Sequence, residues 1–113
     1  MQNAANHCLS RADVEAIIPL FPLSWSSVVK RVLLIRAGNE PIAVFYPKAK
    51  ELSLSYSTEE GKTNKAQAIT ELVIALAAVA EKGELPQPLN ASYRRQLEHA
   101  TAELQAKCIG RLR

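Results

Sequence analysis

From Ile69 to Ala80 nearly every side chain is apolar, and this stretch limits the fold more than any other feature of the chain. Ile69, Leu72, Val73, Leu76, Val79 and Ala80 recur at helical spacing and make a core stripe. Ile74, Ala75, Ala77 and Ala78 make the opposite side apolar too. A helix that is apolar nearly all round has to be buried nearly all round. Its start signal is Thr63 or Asn64, with Asn64 and Gln67 at capping-box spacing, and its stop is Gly83 after Lys82. We expect this to be a central apolar helix packed on a sheet. Its uncharged run, Leu72 to Ala80, is far short of the ~20 apolar residues that cross a bilayer, so no membrane partner is expected.

The sheet is written upstream. β-branched and alternating apolar residues predict strands over about 28–36, 41–46 and 51–57. Gly38-Asn39 is a two-residue hairpin signal, and Pro47-Lys48-Ala49-Lys50 suits a tight reversal. Both links are too short for a parallel crossover, so the expected sheet is a three-stranded antiparallel meander with strand two in the middle. Turn length then sets the faces. One face carries Val32, Leu34, Ala43, Phe45, Leu52, Leu54 and Tyr56; the other carries Leu33, Ile35, Ile42, Val44 and Tyr46 beside Ser53 and Ser55.

A short first helix starts at a Ser10 cap, with Leu9 and Val14 placed as a hydrophobic staple, and ends where Pro19 disfavours α geometry at Ile18. Its apolar side is Val14, Ile17 and Ile18. Leu20, Phe21 and Leu23 form a connector too apolar to stand free in water. The third helix, capped by Asn90 or Ser92, runs to about Ile109 with Tyr93, Leu97, Ala100, Leu104 and Cys108 on one face. The expectation is therefore α+β in the order α-β-β-β-α-α. It forms a single domain over 1–113, with tails at 1–9 and 110–113. With 48% hydrophobic and 22% charged residues the chain has enough apolar content to form a core.

Net charge is +3, and the excess lies in residues 90–113, where Arg94, Arg95, Lys107, Arg111 and Arg113 outnumber Glu98 and Glu103. Three of these cations lie where they oppose the negative pole of the third helix. The N-terminus has no basic segment followed by an apolar one, so we expect a cytoplasmic protein with Cys8 and Cys108 as thiols. His7, Cys8, His99 and Cys108 match no zinc spacing, and no metal or cofactor is expected. Gly61-Lys62-Thr63 has Tyr56 where a phosphate loop needs glycine, so no nucleotide site is expected there. Ser24, Ser26 and Ser27 lack the strand–elbow–helix context of a nucleophile.

Two readings of function follow. The first is a non-enzymatic interaction or accessory module, self-associating or bound to a protein partner through Leu33, Ile35, Ile42 and Val44 on the sheet or Ile74 on the helix. The second is a nucleic-acid backbone binder using Lys62, Lys65, Arg94 and Arg95. The order helix, three-strand meander, helix over 10–82 resembles the topology of double-stranded-RNA-binding domains. Glu60-Gly61-Lys62-Thr63-Asn64-Lys65-Ala66 is similar to that family's phosphate-contacting helix start. Lys62 and Lys65 match its cations, while Asn64 and Ala68 occupy positions of further lysines.

Overall fold

A computed structural model of the chain describes residues 11–35, 42–55, 65–86 and 89–112. Its elements are α1 (Arg11–Ile17), β1 (Arg31–Ile35), β2 (Ile42–Tyr46), β3 (Glu51–Ser55), α2 (Lys65–Lys82), α3 (Ala91–Ala100) and α4 (Ala102–Arg111). Two 3-10 turns, Ile18–Leu20 and Leu23–Ser27, join α1 to β1. The α+β class stands. The expected cap and staple at Leu9 and Ser10, the Gly38-Asn39 turn, Tyr56, and the segment holding Gly61-Lys62-Thr63 and Asn64 lie outside the described residues.

α1 buries Val14 and Ile17, while Arg11 and Glu15 pair at 2.8 Å on its exposed side. It ends at Ile17 because Ile18 precedes Pro19, and the chain tightens into a 3-10 turn. Ile18 is thereby turned outward and is 47% exposed, unlike the buried residue expected. Strand β1 starts at Arg31, later than the expected 28. The hydroxyls of Ser26 and Ser27 donate back to the carbonyls of Leu23 and Ser24 at 2.8 and 2.7 Å. Both Val28 and Val29 donate their N–H to the Trp25 carbonyl. These local bonds outweigh the strand preference of two valines.

The meander is corrected. The strand order is β1-β3-β2, with β1 parallel to β3 and β2 antiparallel to it. The Pro47–Lys50 turn does force β2 beside β3, in the expected register of Phe45 with Leu52 and Ala43 with Leu54. No pairing of β1 with β2 occurs among the described residues. Residues 36–50, counting β2 itself, exceed the dozen or so that a parallel connection needs. Lys50 fixes the new neighbour: its carbonyl accepts the N–H groups of Lys30 and Arg31 at 2.7 and 3.2 Å. The topological resemblance to double-stranded-RNA-binding domains goes with the meander.

Face composition survives the change of order. Val32–Leu52–Phe45 and Leu34–Leu54–Ala43 form rows on the inner face, with Leu34, Leu52 and Leu54 fully buried. They meet Ala68, Ile69, Leu72, Val73, Ala75 and Leu76 of α2, Val14 and Ile17 of α1, and Cys108 of α4 in one cluster. The other side of α2 packs Ile74, Ala77 and Ala78 against Leu97 of α3. Every residue from Leu72 to Val79 is buried, and Gly83 closes α2 with φ 72° and its N–H on the Val79 carbonyl.

The single third helix is also corrected: it breaks at Thr101, and its second half continues through Gly110 to Arg111. Asn90 caps α3 as expected, accepting from the N–H groups of Ser92 and Tyr93 at 2.9 and 3.2 Å. At the break the Thr101 hydroxyl donates to the Leu97 carbonyl at 2.7 Å. The Gln105 amide donates to both the Thr101 hydroxyl and the Glu98 carbonyl. Thr101 thus takes the buried place that helical spacing assigned to Ala100, which is exposed.

The strand order is testable with paired cysteines. Leu33 and Ser53 are partners on adjacent strands, about 4.8 Å apart by sheet spacing, within disulfide reach. Leu33 and Val44 are two strands apart, about 9.6 Å, beyond it. Leu33→Cys with Ser53→Cys should cross-link on mild oxidation, and Leu33→Cys with Val44→Cys should not; a meander requires the reverse. Mobility on non-reducing gels reads the outcome.

Candidate interaction surfaces

The outer face of the sheet carries the rows Arg31–Glu51–Tyr46, Leu33–Ser53–Val44 and Ile35–Ser55–Ile42. Neither buried cluster takes a described residue from these rows. Leu33 and Val44 are half-buried and flank Ser53 in this row; Ser53 is 3% exposed and donates to the Val44 carbonyl at 3.5 Å. Tyr46 is 49% exposed. Arg31 lies 3.7 Å from the Glu51 carboxylate across the strand pair. Of the expected interface residues, Leu33 and Val44 share this face. Ile35 and Ile42 fall in the same row by register, and their side chains are outside the described residues. Ile74 is elsewhere and 1% exposed, closed off by Leu97 of the same chain.

A second surface was not singled out from the sequence. Between α1, the two 3-10 turns and the start of β1 runs an open groove of about 430 Å³. Val14, Ile18, Phe21, Trp25, Val29 and Val32 supply its apolar walls, and Leu76 of α2 contributes to the lining. The Phe21 and Trp25 rings lie 5.3 Å apart, tilted by 40°. Leu23, 92% exposed, stands at the mouth. Arg11, Lys30 and Arg31 line it with a single carboxylate, Glu15, which Arg11 already holds. The apolar connector at 20–23 was the sequence signal; its meeting with the sheet edge needed the fold.

Several polar groups of α3 and α4 bond to α2 or to one another. Arg94 donates from Nη1 to Glu71 Oε2 at 3.0 Å and from Nη2 to the other Glu71 oxygen, and from Nε to Glu98 at 3.0 Å. The Glu71 bonds push its pKa further up, so the guanidinium stays charged. Thr70 donates to Gln105, tying α2 to the helix break. The Lys82 ammonium lies 4.2 Å from the centre of the Tyr93 ring. Burial first, and then the charge of Glu81, raises the Tyr93 pKa. Of the candidate nucleic-acid contacts, Arg94 is held in this network, Arg95 is exposed, Lys65 opens α2, and Lys62 lies outside the described residues. The structure therefore gathers no described basic patch from these four.

His99 is exposed on α3, whereas Cys108 is fully buried in the main cluster. Among the described residues no group of three metal-ligating side chains occurs. Burial pushes the Cys108 thiol pKa up. The stability that goes with the neutral buried thiol is therefore fully present below the unfolded value of about 8.5 and is lost as pH rises from there through the raised folded value. Iodoacetamide at pH 8 should leave Cys108 unmodified in the native chain and label it in urea, as mass spectrometry would show; rapid native labelling would contradict the packing of α4. Comparison of the chain with protein-family models, with curated proteins and with solved structures finds no match.

Proposed function

We propose that this chain is a non-enzymatic protein-interaction module of the cytoplasm that self-associates through the outer face of its sheet. The observation that carries the reading is the row Leu33–Ser53–Val44, which lies opposite the face packed on α2 and belongs to neither buried cluster. In this reading α2 is the central element, and α1, α3 and α4 are all committed to it or to the inner face. A second copy is the simplest cover. A two-fold contact has to be self-complementary, and this face carries Arg31 and Glu51 side by side, so each charge on one copy has its opposite on the other. Burial of half-exposed leucine and valine supplies the drive, at up to roughly 1.5–3 kcal/mol for a side chain taken fully out of water.

Size-exclusion chromatography with light scattering tests this. The native chain should show a concentration-dependent dimer, and Val44→Asp should shift it to monomer with the circular dichroism spectrum intact. Ile74→Asp, in contrast, places a charge inside the core and should cost several kcal/mol, unfolding the chain rather than dissociating it. A native chain that is monomeric at every concentration defeats the proposal.

A further inference from the structure

We infer that the groove beside β1 receives an extended acidic peptide, which adds to the sheet as a fourth strand. β1 is an edge strand, paired with β3 on one side and with no described strand on the other. An edge strand presents unpaired N–H and C=O groups, and proteins blunt such edges with proline, bulges or inward charges. Val32, Leu33 and Leu34 carry none of these. The groove lies under this edge, on the inner side of the sheet where Val32 points. A strand laid beside β1 would project every second side chain into the groove, level with Val32 and over Trp25, and the remainder onto the outer face. Main-chain bonds then supply affinity, and the groove selects the alternate side chains. Its volume of about 430 Å³ is that of a ligand-sized site.

Charge selects the peptide's sign. Glu15 is held by Arg11 at 2.8 Å, which leaves Lys30 as the excess cation at the end of the groove nearest the strand, with the Arg31 side chain beside Glu51 on the outer row. Arg31 has only a long 3.7 Å contact with Glu51, and its side chain is mostly exposed. The fitting occupant has apolar residues at alternate positions and a carboxylate beside Lys30.

A random octapeptide library displayed on phage and panned on the full chain should enrich this pattern. Trp25 is the chain's one tryptophan, so its emission reports occupancy when the enriched peptide is titrated. Ile18→Asp and Lys30→Glu change exposed residues and leave the fold in place. Each should weaken the peptide by about tenfold, the scale of reversing or burying one charge near a protein surface. Lys30→Glu should in turn prefer the peptide with lysine in place of its acidic residue. N-methylation of one alternate set of peptide amides should abolish binding while methylation of the other set is tolerated. At concentrations where the native chain is monomeric, Val44→Asp should bind the peptide as the native chain does, so the groove is tested independently of self-association. Enrichment of basic or no peptides, equal tolerance of both methylated sets, or filling of the groove by decanoate with no peptide binding would each overturn the inference.

Discussion

The burial of every residue of α2 from Leu72 to Val79 is the constraint that the packing around this helix has to meet. A helix with apolar residues at every position from Leu72 to Val79 cannot rest on one surface, as an amphipathic helix does. One side takes the inner face of the sheet, with Leu34, Leu52 and Leu54 fully covered. The opposite side takes α3, through Leu97 against Ile74 and Ala78. α4 closes the remaining angle through Cys108. The small residues Ala68, Ala75 and Ala78 are buried within the two clusters, where a short side chain lets a neighbouring element approach α2. The cost of this solution is that all the described α-helices are committed, and the described residues of the sheet's outer rows join no core cluster.

Holding α3 and α4 against one helix also explains the break at Thr101. A straight helix of that length would carry its stripe along one line, while Leu97 and Cys108 have to meet different sides of α2. At the break Thr101 leaves α geometry, with φ −104° and ψ 7°. Gln105 replaces the lost partner of the Glu98 carbonyl, and the Thr101 hydroxyl doubles the bond to the Leu97 carbonyl. Arg94 then locks α3 to α2 through Glu71, whose side chain is largely out of solvent. A charge-assisted pair of this kind is worth more in orientation than in net stability, because its desolvation offsets much of the attraction.

How much of this was legible in the sequence follows from which signals are local. The side-chain period of a strand is two, so face membership survived even though the strand order was misread. Val32, Phe45 and Leu52 share a row whether β2 or β3 lies in the middle. Order depends on which loops are tight, and only Pro47–Lys50 imposed adjacency. The helix ends were legible at Asn90 and Gly83, where one residue does the capping, and illegible at Thr101, where the break needs Gln105 and Leu97 together. The 3-10 turn at Leu23–Ser27 hid behind the valines that follow it because serine back-bonding competes with strand propensity. The groove was invisible for a different reason: α1, Trp25 and the edge of β1 come together only once β1 is known to be an edge.

The position of β1 also links the two surfaces. Its residues alternate between them, with Val32 toward the groove and Leu33 toward the outer face. A strand added beside β1 therefore lengthens the row Leu33–Ser53–Val44 by one residue on the open side while it fills the groove on the other. If that added residue is apolar, the outer face gains area, and a second copy binds the occupied form more tightly than the empty one. Linkage makes the effect reciprocal, so the dimer would hold the peptide more tightly by the same factor. An acidic residue in that position would act in the opposite direction, by placing charge where the copies meet. The side chain opposite Leu33 would then decide the sign of the coupling, and the groove would set only its affinity.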